Sequence, residues 1–208
     1  MRGLFLGVGF GIINTSGKGR YTMETMLLIR PAFAHAAEIA GYRQECLDAG
    51  SRMDGCGPLR RMEDPLEWIN YCKAWEGEHQ PDGSGWVRAT QFLYIRPTDG
   101  KMVGTIQVRH TFNAFLAAYG GNIGYSVRPS ERRKGYATRM LRDTLPFCRQ
   151  IGLDRVLISC PPDNIGSRKT ILANGGVYES TVWVPDRQEA LERYWIDLTI
   201  PQKSEKCD

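Results

Sequence analysis

The chain has 208 residues, 42% of them hydrophobic and 24% charged, with a formal net charge of +4. That length and apolar content suffice for one full core, and no apolar run approaches the ~18 residues of a membrane span, so a soluble globular protein without a membrane partner is expected. The six cysteines, Cys46, Cys56, Cys72, Cys148, Cys160 and Cys207, form no CxxC pair, and His35, His79 and His110 are scattered. This pattern argues against a disulfide framework or a metal site and for free thiols in a reducing, cytoplasmic compartment.

Residues 1–22 carry an apolar run after Arg2 but no small-residue cleavage pattern close behind it. Ordered patterning starts at Met23, so residues 1–22 read as an N-terminal extension, upstream or vector-derived, and residues 23–208 as a single domain. MLLIR is a short strand, and Pro31 opens a helix that runs to about Leu47 with Phe33, Ala36, Ile39, Ala40 and Leu47 near one face. GSRMDGCGP breaks it. A second helix runs from Asp64 to about Trp75, with Trp68, Tyr71, Cys72 and Trp75 at helical spacing. Such a stripe serves either core packing, its commoner use, or an aromatic lid over a substrate.

Between Trp86 and His110 two alternating runs flank PTDGK, a tight-turn sequence, and predict an antiparallel hairpin. A helical turn over Thr111–Ala118 follows, then the strand GNIGYSV. The remainder reads as a helix from Gly135, the strand DRVLISC, a helix from about Asn164, and two closing strands, GGVYESTVWV and ERYWIDL. Pro146 inside the first of these helices predicts a kink. Strands and helices interleaved around a hairpin make the class α/β with a mixed sheet.

Residues 128–142 hold six cations, Arg128, Arg132, Arg133, Lys134, Arg139 and Arg142, against Glu131 alone, so the rest of the chain is close to neutral. A cluster this local, at a helix start, suits one discrete anion better than an extended nucleic acid. The first amides of a helix have no intrahelical partner and carry the positive end of its dipole. Gly135 permits close approach and Ala137 keeps the next turn small, which together make a phosphate nest. Neither GxxxxGK[ST] nor a GxGxxG between strand and helix is present.

Arg132, Gly135 and Ala137 form R-x-x-G-x-A just after the strand ending YSV, and PPDNIGSRKTILANGG follows the strand ending in Cys160. In these motifs, and in its element order from Met23 to Leu198, the chain resembles the GNAT superfamily of N-acetyltransferases. GNIGYSVRPSERRKGYATRML further resembles a bacterial subgroup of predicted acetyltransferases. The resemblance implies a GNAT-like acyl-CoA N-acyltransferase fold, with a mostly antiparallel sheet flanked by helices, and transfer of an acetyl group from acetyl-CoA to a primary amine by direct attack in a ternary complex. It implies that the backbone of Tyr125, Ser126 and Val127 pairs with the pantetheine amides. Arg132, Arg133, Lys134, Gly135, Tyr136, Ala137 and Thr138 would form the pyrophosphate turn, and Asn164 and Ser167 would line the cofactor arm. Arg168 or Lys169 could reach a further phosphate.

Two departures concern the chemistry. The tyrosine that many members place seven residues after the asparagine is Ile171 here; Tyr178 is near in sequence but reads as a packed strand aromatic. GNIGYSV carries no carboxylate, which leaves His110, at the end of a neighbouring strand, as the candidate base. The acceptor, a small-molecule or peptide amine, should enter between the first two helices and the loop at Pro185–Gln188, near Glu45, Trp68, Tyr71 and Trp75. A homodimer through the terminal strands follows from the family. The alternative is a module on the same fold without catalysis, either an acyl-CoA sensor or a nucleic-acid binder; the scarcity of aromatics among the cations disfavours the latter.

Overall fold

The computed structural model describes residues 25–77, 85 and 87–199. The expected N-terminal extension, Trp86, His79 and Cys207 lie outside them.

The first helix starts later than its proline suggested. Pro31 precedes a 3-10 turn, Phe33–His35, and α1 then runs over Ala36–Asp48. Its buried face is Ile39, Tyr42 and Cys46, not the stripe through Phe33 and Leu47. Phe33 is exposed and lies under the Lys73 ammonium, 4.0 Å from its ring centre. Helix α2, Pro65–Glu76, follows the sequence closely: Asp64 caps it by accepting from the Leu66 amide at 2.8 Å, and Pro65 occupies the first position, where no amide is needed. Trp68 is fully buried and donates to the Cys56 carbonyl at 2.8 Å, and Trp75 is buried, so the aromatic stripe is core.

Strands β1 (Leu27–Ile29), β2 (Ala89–Arg96), β3 (Lys101–Arg109) and β4 (Ile123–Val127) form one sheet in that order; β5 (Arg155–Cys160), β7 (Glu189–Asp197) and β6 (Val177–Val184) form a second, in the order β5-β7-β6. Every ladder is antiparallel. Alternation along β2 explains the two cores: Phe92 and Tyr94 face α3 (Tyr136–Gln150), while Leu93 and Ile95 face α1 and α2. A bulge beside Tyr94 and Ile95 leaves Val103 unpaired and shifts the alternation of β3, so Val103 shares a core with Ile106, three residues on, while Met102 faces the other. Helix α3 continues through Pro146, and α4 spans Ile165–Ala173. The turn expected over Thr111–Ala118 is a π-helical turn at Leu116–Gly120. Cys46, Cys56, Cys72, Cys148 and Cys160 are all buried free thiols, and no helix among the described residues is long and apolar enough to cross a membrane.

The two sheets meet at one seam. Gly121, at φ +68°, bridges Ile158; a β-carbon there would sit 2.3 Å from the Leu157 carbonyl oxygen. Asn122 then acts as a splice: its amide donates to the Leu157 carbonyl at 2.7 Å, its Oδ1 accepts from the Leu157 amide at 2.9 Å, and its Nδ2 donates to the Arg109 carbonyl at 3.2 Å. The residue is buried, so removing the side chain strands the Leu157 N–H without water. Asn122→Ala should therefore cost about 1–3 kcal/mol, read as a lower denaturation midpoint in urea at an unchanged slope; an unaltered midpoint would show that the splice carries no stability.

Candidate active site

Beyond the seam β4 and β5 diverge. Each has a single ladder partner, β3 and β7 respectively, so their facing edges carry no strand. The space between them is a cleft of about 540 Å³. Its walls are β4 from Ile123 to Val127, the end of β5 from Ile158 to Cys160, the starts of α3 and α4, and the loop 49–55.

At the Val127 end the chain turns through Pro129–Glu131 into α3. Arg133 (φ +66°) and Gly135 (φ +78°) both adopt left-handed backbone, a strained choice for arginine that winds the amides ahead of Tyr136 into the helix start. Asn164 caps α4 by accepting from the Ser167 amide at 3.1 Å. Two helix N-termini, each with unshared amides, thus open beside a bare strand edge. Such a set suits a long ligand with peptide-like groups in the middle and phosphate at one end. The residues therefore fit a CoA-type cofactor.

The charges are more balanced than the sequence suggested. Arg128 is buried, donating to the Met102 carbonyl at 2.7 Å and pairing with Glu38 at 3.1 Å and Glu45 at 3.5 Å. Arg142 pairs with Asp143. Glu131 is buried against Arg96, Lys101 and Lys134 at 2.9, 3.0 and 2.9 Å. Burial alone would raise its pKa, but the hydrogen bonds from Arg96, Lys134 and Lys101 outweigh that and hold it down at about 2. Arg132 and Arg133 stay exposed; Arg132 donates to the Val127 carbonyl at 3.2 Å and to Ser51 Oγ at 2.7 Å.

Of the residues singled out from sequence, Tyr125, Ser126, Val127, Arg132, Ala137, Asn164 and Ser167 line the cleft. Tyr125 Oη lies 2.9 Å from Ser167 Oγ, and burial pushes the Tyr125 pKa up, with the Ser167 bond opposing it. Ser126 Oγ meets Tyr42 Oη at 2.8 Å and Cys56 Sγ at 3.2 Å. Arg133, Lys134, Gly135, Tyr136 and Thr138 form the turn and first helical residues behind the lining, where Lys134 is committed to Glu131 and Tyr136 Oη accepts from Arg96 at 3.1 Å. Arg168 is held by Glu192 at 2.7 Å, so it is not free for a phosphate.

His110 is not brought to the cleft. It comes one residue after Arg109, which does line it, and consecutive strand residues point to opposite sides. Its Nε2 lies 2.9 Å from Thr90 Oγ1 and its ring sits edge-on to Phe147. Burial, with Arg88 second, lowers its pKa. The acceptor residues expected on the first two helices are also elsewhere: Trp68 and Trp75 are core, Tyr71 tilts against Trp75, and Glu45 binds the Ser130 amide and Arg128. Ile171 is fully buried, and Tyr178 is exposed on β6 with its hydroxyl on Thr181.

The sequence reading missed Asp54, Gly55 and Arg109, while the loop expected at Pro185–Gln188 brings Arg187 to the cleft. The loop 51–55 looked like a mere helix break, yet Gly55 (φ +73°) lies so close over β4 that a β-carbon would sit 2.0 Å from the Gly124 carbonyl oxygen. That contact carries Asp54 to the cleft, where it is the one carboxylate among the lining residues. A glycine-rich stretch holding one acid was the available signal.

A bare-edged, splayed sheet with two helix starts at its mouth is the architecture of an acyl-CoA-type transferase. The family model described as "Acetyltransferase (GNAT) domain" matches residues 26–177, and the chain belongs to that family. Its fold is similar to that of Mycobacterium smegmatis RimJ in complex with CoA-disulfide, at TM-score 0.65 and 20% identity over 85% of this chain and 84% of that one. It is also similar to the ribosomal-protein-S5-alanine acetyltransferase of Vibrio fischeri (TM-score 0.61, 18% identity, 83% and 91% covered) and to the microcin C7 self-immunity acetyltransferase MccE in complex with acetyl-CoA and AMP (0.62, 17%, 83% and 92%). No curated protein matches the chain.

The Glu131 network yields a stability signature. An unfolded glutamate titrates near ~4.3, so the stabilisation is complete above that pH and is lost as pH falls toward about 2. Glu131→Gln should cost about 2 kcal/mol at neutral pH, less than a fully buried pair because its cations remain partly solvated. The wild-type advantage should shrink between pH 5 and pH 2 by about the same amount, as thermal melts across that range would show; a constant gap would refute the assignment.

Proposed function

We propose that this protein is an N-acetyltransferase that moves an acetyl group from acetyl-CoA to a primary amine by direct attack. The observation that carries this reading is the cleft between β4 and β5, bounded by a bare strand edge and the N-termini of α3 and α4. The free edge of β4 over Tyr125 to Val127 pairs with the pantetheine arm. The turn from Arg132 to Thr138 receives the pyrophosphate, with Arg132 as its guanidinium, and Asn164 and Ser167 flank the arm at the head of α4. The bound thioester supplies an activated acyl group that a neutral amine attacks without a covalent enzyme step.

Two proton roles remain for this chain's own residues. Ser167 Oγ, hydrogen-bonded to Tyr125 Oη, presents a hydroxyl where the departing sulfur needs a donor. In this reading Asp54, which lines the cleft 3.8 Å from Arg52 Nε, binds the acceptor's ammonium group and takes its proton, the role the sequence suggested for His110. Asp54→Asn should lower kcat/KM about 100-fold near neutral pH, and less at high pH, where more of the amine is already neutral in solution. His110→Ala should leave kcat/KM unchanged. A loss with Asp54→Asn that does not depend on pH would remove Asp54 as base.

The reading as a whole is tested by thermal unfolding with acetyl-CoA, using ATP and a short DNA duplex as controls. At about one hundred times its dissociation constant the ligand should stabilise the fold by about 2.7 kcal/mol. Selective stabilisation by acetyl-CoA, followed by thiol release on adding amines, supports the proposal. No shift with acetyl-CoA, alongside a salt-sensitive shift with DNA, would replace it with nucleic-acid binding.

A further inference from the structure

Two arginines that line the cleft, Arg132 and Arg109, have no carboxylate partner among the described residues, and they lie at opposite ends of β4. Arg132 reaches the Val127 carbonyl at the phosphate turn. Arg109 comes to Gly124, where its Nη2 is 3.5 Å from the position a β-carbon would take. Gly124 and Val127 are three residues apart, so the two guanidiniums are separated along the strand by about 10 Å. One phosphate group cannot satisfy both.

Arg109 is half-buried, and among the described residues its side chain donates only from Nη1, to the carbonyls of Gly120 and Gly121 at 3.4 and 3.2 Å. Both are long, and a neutral glutamine could make either. Nη2 and Nε donate to no described group. Drawing a guanidinium partly out of water without a bonded carboxylate is unfavourable; burial pulls its pKa down, Asp54 opposes the fall and Arg187 adds to it. Beside it Gly124 carries no side chain, and a β-carbon there would stand 3.5 Å from Nη2; Gly55 packs over Gly124 and, with Gly120 and Gly121, lines the same part of the cleft.

Arg187 supplies a second cation from the turn between β6 and β7. It lies over the Phe115 ring at 5.1 Å and is about half exposed. Its pairing with Glu189 is loose, 3.7 Å, because Glu189 is engaged in two bonds to Arg52 at 2.8 and 3.1 Å. Across the same space stands Asp54, half exposed, its carboxylate 3.8 Å from Nε of Arg52, whose Nη groups are taken by Glu189. One carboxylate facing two incompletely paired guanidiniums is the complement of a molecule that carries an ammonium at one end and an oxyanion at the other.

We propose that the acceptor is an amine that also carries a carboxylate or phosphate group, that Arg109 with Arg187 holds this oxyanion, and that Asp54 receives the amine. This rests on the acetyl-transfer reading above and narrows it to a substrate class. A planar guanidinium fork matches both oxyanions, so one geometry serves either.

The test compares matched pairs as acceptors, phosphoethanolamine with ethanolamine and β-alanine with its amide, by initial rates of CoA release from acetyl-CoA. In the wild-type protein kcat/KM should be at least tenfold higher for the anionic member of at least one pair. Arg109→Gln and Arg187→Gln should each bring that ratio toward one through KM, while Arg109→Lys keeps part of it. Should Arg109→Gln fail to fold, Arg187→Gln, on an exposed turn, still decides the matter. Uncharged members turned over as well as or better than their anionic partners, or a ratio unmoved by Arg187→Gln, would overturn the proposal. Acetyl-CoA affinity, measured alongside by calorimetry, should be the same in wild type and variants. Its absence in the wild type would count against the acetyl-transfer reading itself, whereas intact cofactor binding without preference for an oxyanion counts only against this one.

Discussion

Everything at the cleft depends on the seam at Gly121 and Asn122. Two antiparallel sheets with exposed edges would normally either join into one or be capped, because unpaired strand edges are reactive surfaces. Here they join over a single bridge, and the splice through Asn122 satisfies the Leu157 backbone in both directions. Beyond it each strand twists with its own sheet, so divergence follows from ordinary strand geometry once the joint is fixed at one point. Only glycine fits at position 121, since the carbonyl of Leu157 occupies the space of a β-carbon. The bare edges that result are held in place by the fold and remain available to a ligand that can supply the missing hydrogen bonds.

The cation cluster looks, in sequence, like one anion site, and in three dimensions it is two things. Arg128 and Lys134 are structural: one ties β4 to α1 through Glu38 and Glu45, and the other helps to neutralise buried Glu131. Their effect is to hold the turn whose left-handed residues aim the amides of α3 outward. Pairing Arg128, Lys134 and Arg142 leaves the backbone of the turn with Arg132 and Arg133 at its surface.

Element order, the hairpin, the closing strands and the two helix starts were legible in the sequence, because each is written locally: PTDGK for the turn, Asp64-Pro65 for a helix start, Gly135 and Asn164 for the others. The wall of the cleft formed by β4 and the two helix starts was legible for the same reason, since it is built from two contiguous segments. The opposite wall was legible only at the loop Pro185–Gln188, which carries Arg187. Asp54, Arg109, Phe115 and Arg187 come from four separate segments, and nothing in any one of them announces that the others are near. His110 was chosen for its titration range, but one step along a strand decides which side a residue serves, and that step favoured Arg109. The aromatic stripe of α2 shows the same limit: its period was visible, but only packing against Ile39, Leu59 and Leu93 makes it core.

Ile171 then stops being an anomaly. It is fully buried and belongs to the core shared by α3, β5 and β7, so on this chain that face of α4 is packing surface. Residues four apart on a helix share a face, and the residue one turn earlier on that face is Ser167, at the mouth of the cleft and hydrogen-bonded to Tyr125. The hydroxyl lost at the inner position is thus present at the outer one, carried by a short side chain and backed by a buried phenol whose pKa burial keeps high, so that it stays protonated. In the proposed reaction the donor is then Ser167, nearer the helix start, with the core closed behind it. It would stand among the helix-start amides that stabilise negative charge, where a departing thiolate gains most from it.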